Sequence, residues 1–202
     1  MKYLSLRTFV QIALVGCLIV AFTSGVTAFD GNRKGFILGG GLGLGLDSYT
    51  QTVEAPDMKA TSDRENKFAF MTDFMIGAGA SEQVLIYYFN KVSWFSLENV
   101  LGENVTIANG VGGAAVRYYF NLTAPSPYVF GGIGLSTWDA PLEEGSDAWY
   151  GFGLMFGGGF EFSPHWSVEG DIMWGKPSKE ESGVEASSNA ISLRMTFGGL
   201  AY

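Results

Sequence analysis

The chain has 202 residues, of which 15% are aromatic and 29 are glycine, about twice the average glycine usage. Its 20 acidic residues outnumber its 12 basic ones. The length suits a single domain. The acidity argues against nucleic acid as a partner, because nucleic-acid-binding domains carry a basic surface.

The first 28 residues predict a secretory signal peptide. Lys2 and Arg7 precede an apolar run from Phe9 to Phe22, and small residues lead up to Ala28. The run is shorter than the roughly 20 residues of a membrane-spanning helix, so we expect cleavage after Ala28 and a mature domain of residues 29–202. The alternative is lipidation of Cys17, which ends a lipobox-like segment although apolar residues continue beyond it.

The mature chain predicts eight β-strands, because apolar residues alternate with small or polar ones at a period of two. In chain order these strands are Gly35 to Tyr49, Lys67 to Gly79, Val84 to Phe95, a strand around Val116 to Phe120, Tyr128 to Trp138, Trp149 to Phe162, Trp166 to Trp174, and a last strand around Ile191 to Phe197. The third strand is the least regular, since Asn90 and Lys91 are neighbours and only one can avoid the apolar face without a bulge. We assign Lys91 to the inner face.

The connections between these strands alternate between long, charged segments and short turns. The four long ones, taken as Thr52–Asn66, Leu97–Asn104, Asp139–Asp147 and Gly175–Ala186, hold 13 acidic and 4 basic residues. Transmembrane barrels with periplasmic termini have their longer connections outside. The acidic segments are therefore expected to be extracellular, either as a solvated surface or as a binding surface for basic partners or divalent cations.

The charged residues of the strands lie on the face opposite the large apolar side chains. The candidate set is Asp73, Lys91, Arg117, Glu161, Glu169, Asp171 and Arg194. A lysine or arginine on the lipid face near the membrane centre costs about 2–4 kcal/mol, which favours lipid outside and charges inside. We expect Arg194 to pair with Asp171 or Glu169, and Arg117 and Glu161 both to lie near the periplasmic rim.

These patterns predict an all-β fold: an eight-stranded antiparallel transmembrane β-barrel with up-and-down meander topology. Trp166, Trp174 and Tyr202 are the expected aromatic anchors at the membrane boundaries. The alternative is a soluble, lipocalin-like periplasmic ligand carrier, in which the apolar face would fill the interior.

With eight predicted strands, a signal peptide, short periplasmic turns and the terminal Tyr202, the mature chain resembles the small outer-membrane barrels of the OmpA/OmpX type. The resemblance implies an integral protein of a Gram-negative-type outer membrane, with both termini periplasmic. It also implies contact with outer-membrane lipid and lipopolysaccharide, and insertion by the barrel-assembly machinery. Barrels of this family commonly end in an aromatic residue preceded by alternating apolar ones. Leu200 fits this signal, but Gly198 and Arg194 do not unless a bulge at Gly198-Gly199 shifts the phase.

No catalytic residue, metal site or cofactor is predicted. The single histidine, His165, lies in a predicted turn without an evident nucleophile or orienting carboxylate. Some eight-stranded barrels deacylate lipid A with a histidine placed two residues before Ser-Asn-Ala, but Ala186 stands at that place before Ser188.

We therefore expect a non-enzymatic protein with a structural or surface-interaction role. The alternative is a narrow channel or pocket for small solutes. An eight-stranded barrel is just wide enough to be filled by side chains, and the expected filling residues are Met71, Met75, Tyr119, Met155 and Met173.

Overall fold

The computed structural model describes residues 31–98, 102–143 and 145–202. The predicted signal peptide and Cys17 lie outside these residues. No helix in the described part of the chain is long and apolar enough to cross a membrane.

The described residues form one antiparallel sheet that closes on itself. Its strands are β1 (Gly35–Ala55), β2 (Met58–Thr61), β3 (Glu65–Gly79), β4 (Val84–Glu98), β5 (Asn104–Tyr119), β6 (Ser126–Asp139), β7 (Trp149–Ser163), β8 (Trp166–Glu181) and β9 (Val184–Ala201). β1 pairs with β3, the strands from β3 to β9 pair in chain order, and β9 pairs back onto β1. The short β2 pairs only with the far end of β1. Eight strands therefore form the barrel, as predicted.

The barrel carries its apolar side chains outside and its charges inside. Phe156 of β7 and Ile172 of β8 are 68% and 52% exposed, whereas Asp171 and Arg194 are 3% and 2% exposed. A soluble barrel would show the opposite arrangement, since water would take the charges and the interior would take the apolar residues. The soluble-carrier alternative is therefore wrong, and the exposed face is a lipid-facing belt.

The height of this belt fits a membrane. Trp166 and Trp174 mark its two boundaries on β8, eight residues apart. A strand rises about 3.3 Å per residue and tilts by about 40° in such barrels, so the two indoles are about 20 Å apart along the barrel axis. Outer-membrane barrels have an apolar band about 25 Å tall.

The strands extend further than predicted at one end of the barrel. Segments expected as loops are partly strand, since β1 continues to Ala55, β2 follows it, and β8 and β9 meet at a two-residue turn of Ser182 and Gly183. These two residues have φ angles of 53° and 78°, as tight hairpin turns require. Beyond the lipid the outer face of a strand meets water, so the apolar alternation disappears while the backbone pairing continues.

The two ends of the barrel differ in charge and in what they carry. We call the end with the extended strands and charged connections the acidic end. The opposite end, which holds the short turns and both ends of the described chain, is the terminal end.

The strands between the two ends are regular at the two places where the sequence was ambiguous. Lys91 lies directly opposite Asp73 without a bulge, and Gly198 and Leu200 continue the inward set of β9 in unbroken register.

Glycine on the inner face provides room for larger side chains in the barrel interior, the lumen. A Cβ atom added at Gly157 would lie 2.5 Å from the Cβ of Asp171 and 2.8 Å from the ring of Phe130. The glycine-rich alternation of β7 therefore allows the aromatic and charged residues of neighbouring strands to meet inside.

Candidate functional site

The centre of the lumen holds a compact group of charges around Lys91. Its Nζ lies 2.7 Å from Asp73, 3.1 Å from Asp171 and 3.5 Å from Glu169. All four side chains are almost completely buried. Such charges persist in a low-dielectric interior only when they are paired, and here each carboxylate faces the same ammonium group.

Two arginines complete this central group. Arg194 donates to Asp73, and its Nε lies 3.2 Å from Asp171. Arg117 donates from Nη2 to Glu169 at 2.7 Å. Three cations and three carboxylates thus neutralise one another at the middle of the barrel. We call this set of six residues the central charge cluster: Asp73, Lys91, Arg117, Glu169, Asp171 and Arg194.

The three carboxylates of the cluster are grouped closely enough to serve as metal ligands. Their oxygen atoms lie within 4.8 Å of one another. The Lys91 ammonium, however, already lies among all three, and both arginines contact them. The donor set therefore supports internal ion pairing, and a metal would have to displace Lys91.

Glu161 and Arg117 have different partners. Arg117 pairs with Glu169, and Glu161 pairs with Arg33, which precedes β1 and was not among the predicted lumen residues. The strands are tilted, so residues at the same distance from a turn on distant strands differ in height. Alternation could not identify Arg33, because the residue lies outside any strand.

Arg33 closes the terminal end of the lumen. Its Nη1 donates to the backbone oxygens of Glu82, Asn121 and Leu122 at 3.0–3.2 Å. Its guanidinium lies 3.8 Å from the centre of the Tyr119 ring. One buried side chain therefore connects two turns, the lumen wall and the carboxylate of Glu161.

Tyr202 also belongs to this closure and is not the lipid-facing anchor we predicted. It is 4% exposed, and its hydroxyl donates to Glu161 Oε1 at 3.0 Å. The regular register of β9 turns it inward. Trp166 is exposed on the outer face and stacks on Phe197 at 5.4 Å, and Trp174 donates from Nε1 to Asn189 at 2.9 Å.

Towards the acidic end, Asp47 forms a further inward polar contact that the candidate set omitted. It accepts hydrogen bonds from Asn109 at 2.6 Å and from Ser192 at 2.9 Å. The alternation of β1 places Asp47 on the inner face, where it is fully buried. Its partners are uncharged, however, so a search for pairs of opposite charge does not find them.

Three aromatic residues cover the lumen beyond Asp47. The rings of Tyr49, Phe95 and Trp138 lie with centroids 4.9–5.8 Å apart. The Tyr49 hydroxyl donates to Glu65 at 2.9 Å. This bond, with a further contribution from Lys67, holds the pKa of Glu65 below its usual value. We call these three residues the aromatic cap.

The space between the two closures is occupied by side chains. The five expected filling residues, Met71, Met75, Tyr119, Met155 and Met173, are all buried. A cleft beside Met75 and Arg117 has no room for a water molecule. Within the described residues, the lumen is therefore a packed interior.

His165 and Ser188 do not form a pair for acyl chemistry. His165 lies in the turn between β7 and β8 at the terminal end, where its ring packs on Tyr202 at 4.5 Å and its Nδ1 lies 2.9 Å from the backbone oxygen of Leu200. Ser188 is paired in register with Gln51 near the acidic end. The length of the barrel separates the two side chains.

The acidic end carries more carboxylates than cations. Lys59 pairs with Glu54 at 2.6 Å, and Lys179 pairs with Asp147 and Glu181 at 2.9 and 3.0 Å. Exposed carboxylates outside these pairs include those of Asp57, Asp63, Glu143 and Glu180. The surplus leaves a negative surface potential at this end.

The closed antiparallel barrel with a lipid-facing belt is the architecture of integral outer-membrane proteins, and this chain is one. No protein-family model matches the chain, and no curated protein matches it.

Solved structures that resemble it include three bacterial surface or outer-membrane proteins. OprG from Pseudomonas aeruginosa is 13% identical with a TM-score of 0.46, and the match covers 86% of this chain and 99% of that one. Ail of Yersinia pestis, in complex with the heparin analogue sucrose octasulfate, is 11% identical with a TM-score of 0.40, covering 80% and 98%. Neisserial surface protein A is 12% identical with a TM-score of 0.40, covering 76% and 95%. At these identities the likeness concerns the fold alone.

Proposed function

We propose that the protein is a non-enzymatic outer-membrane barrel that acts by surface contact through its acidic end. In this proposal the acidic end is extracellular and both termini are periplasmic. The observation that carries the proposal is the contrast between a packed lumen and a charged rim. The interior is occupied from Arg33 to the aromatic cap, while surplus carboxylates collect at one end.

The packed lumen argues against the alternative of a solute channel. A conducting path would need to pass the aromatic cap, the central charge cluster and Arg33 in turn. Each of these is held by direct contacts between buried side chains. We therefore expect no steady conductance above that of the bare membrane when the protein is reconstituted in a planar bilayer.

The proposed absence of enzymatic activity follows from the chemistry of the interior. The buried polar groups of the central cluster are neutralised by one another, so none is left as an activated base or nucleophile. No cofactor is invoked. Deletion of the gene should leave the acylation of lipid A unchanged.

The negative charge of the acidic end determines which partners it would attract. Basic proteins or peptides would be drawn to it, and divalent cations could bridge its carboxylates to lipopolysaccharide phosphates. The identity of an extracellular partner does not follow from the sequence or the fold. We further propose that residues 1–28 direct secretion and that the barrel-assembly machinery inserts residues 29–202.

The orientation can be tested with a membrane-impermeant, amine-reactive biotin reagent on intact cells. The Lys59 side chain is 63% exposed at the acidic end, and Lys34 is exposed at the terminal end. We expect Lys59 to be labelled in intact cells and Lys34 only after the outer membrane is opened. Labelling of Lys34 alone in intact cells would reverse the proposed orientation.

The binding role can be tested with a hexalysine peptide and the folded protein in detergent micelles. Neutralising Asp57, Asp63, Glu143 and Glu180 to Asn or Gln should reduce peptide binding, and added salt should weaken wild-type binding because exposed charges are screened. A control with Thr61→Ala and Ser178→Ala should bind as the wild type does. Equal binding by the neutralised variant would refute a role of the acidic surface.

A further inference from the structure

A polar groove lies on the outside of the barrel, just beyond the lipid-facing belt at the acidic end. It is formed where β1 pairs with β9 on one side and with β2 on the other. Its volume is about 260 Å³, and its lining residues are Thr50, Thr52, Glu54, Lys59, Lys176, Glu185, Ser187 and Asn189. Small-molecule sites begin at about 300 Å³, so the groove suits a group about the size of one sugar ring.

The groove begins directly above the aromatic boundary of the belt. Lys176 follows Trp174 by two residues on the same face of β8. Trp174 itself donates to the side-chain oxygen of Asn189, which lines the groove. Tryptophan at such a boundary sits at the level of the lipid headgroups, so the lower edge of the groove faces the headgroup layer.

The lining residues change in character with distance from the membrane. Asn189 pairs in register with Thr50, Ser187 with Thr52, and Glu185 with Glu54. The edge nearest the lipid therefore presents the Lys176 ammonium and the Asn189 amide. Hydroxyl groups follow, and carboxylates lie farthest from the membrane.

Two of the four charges in the groove are left without ion pairs. Among the ion pairs of the described residues, Lys59 is taken by Glu54 at 2.6 Å, whereas none includes Lys176 or Glu185. An unpaired cation at the lower edge suits a phosphate, because a charge-assisted hydrogen bond to phosphate is stronger than a neutral one. The hydroxyls and the Glu185 carboxylate above it suit the hydroxyl groups of a sugar.

We propose that this groove binds the phosphorylated sugar headgroup of an outer-leaflet glycolipid. The phosphate contacts Lys176 and Asn189, and the sugar hydroxyls contact Ser187, Thr52 and Glu185. The acyl chains then lie on the exposed Leu46, Ile191 and Leu193 just below. This inference rests on the proposed orientation, since only an extracellular acidic end brings the groove to the outer leaflet.

Native mass spectrometry of the folded barrel in zwitterionic detergent micelles tests the groove directly. The probes are diphosphoryl lipid A, fully dephosphorylated lipid A, phosphatidylglycerol and soluble glucosamine 1-phosphate. We expect one diphosphoryl lipid A to bind about fivefold more tightly to the wild type than to Lys176→Gln, the effect of one lysine near a membrane surface. Dephosphorylated lipid A should lose the same factor on the wild type and show no difference between the two proteins.

Lys179→Gln is the matched control variant. Lys179 lies on the same strand and at the same end, but it is paired with Asp147 and Glu181 outside the groove. It should bind diphosphoryl lipid A as the wild type does, and heat-modifiable gel mobility should show that all variants are folded.

Three results would overturn the proposal. Equal weakening by Lys176→Gln and Lys179→Gln would indicate general charge attraction. Equal binding of phosphatidylglycerol would show that the sugar contributes nothing. Equal binding of glucosamine 1-phosphate would indicate a free sugar phosphate as the ligand. Because micelles have no sidedness, the binding result is independent of the lysine-labelling test, and failure of one can be told from failure of the other.

Discussion

Substitution of Lys91 by methionine should be among the most destabilising changes in the barrel. Methionine keeps much of the lysine chain but removes the ammonium that faces Asp73, Glu169 and Asp171. At the 3.1 Å separation from Asp171, the Coulomb attraction of one pair is about 5 kcal/mol at an effective dielectric constant of about 20. The desolvation of the ions offsets most of the summed attraction. The expected net loss of unfolding free energy is therefore about 3–5 kcal/mol, the usual cost of removing one partner from a buried ion pair.

The charge interpretation predicts a specific rescue. Asp171→Asn removes one of the carboxylates left in excess by Lys91→Met, so the double variant should recover at least half of the lost stability. The assay is reversible urea unfolding in lipid vesicles, followed by tryptophan fluorescence. Lys67→Met is the control, since Lys67 forms a partly exposed pair with Glu65 at 3.2 Å and should cost less than about 1 kcal/mol. Additive losses in the double variant, or a loss for Lys91→Met no larger than for the control, would refute the reasoning.

Three further changes test other parts of the barrel. Arg33→Ala removes the cation that pairs with the buried Glu161 carboxylate and should lower the unfolding free energy by about 3–5 kcal/mol. Alanine at the exposed Lys34 should have little effect. Equal effects of the two substitutions in urea titrations would contradict the role of Arg33 in closing the lumen. Asn90 carries an exposed carboxamide in the middle of the lipid-facing set of β4, so Asn90→Leu should raise the unfolding free energy by about 1–3 kcal/mol, and an unchanged urea midpoint would argue against lipid contact. The Tyr49 hydroxyl lowers the pKa of Glu65, so their hydrogen bond stabilises the fold above the usual glutamate pKa, and this stabilisation is lost as the pH falls. Tyr49→Phe should therefore flatten the pH dependence of stability between about pH 5 and 3. An unchanged pH profile would show that this hydrogen bond contributes nothing to stability.

The strands within the membrane were predictable because the lipid imposes the alternation. In β7 and β8 most outward residues are large and apolar while most inward ones are glycine, methionine or charged, since each face meets a different environment. That contrast is enough to assign Glu169 and Asp171 to a single face from the sequence alone. It also predicts closure, because an open sheet edge in lipid would leave backbone groups without hydrogen bonds.

The contacts between inward residues were harder to predict, because they depend on strand tilt and on the stagger around the barrel. Arg117 pairs with Glu169, and Glu161 pairs with Arg33, and neither contact was predicted. The alternation of residues within one strand does not show how high a residue lies along the barrel axis relative to residues on the opposite wall of the lumen. The strand extensions at the acidic end escaped prediction for a different reason: they lie beyond the lipid, so their outer face is no longer apolar and the alternation is lost.

The lumen is closed at both ends, and this limits which part of the protein can bind a partner. A barrel of this size can conduct only if its interior side chains leave a path, and here Arg33 and the aromatic cap occupy opposite ends of the interior. Each closure is built from residues on several elements, so opening either would disrupt contacts that also hold the wall together. The surface outside the lipid carries no such constraint. Its charged residues at the acidic end, including Lys176 in the groove, can bind a partner without disturbing the packed interior. Substitutions there should therefore alter binding while leaving the urea midpoint unchanged, whereas substitutions in the lumen should shift the midpoint first.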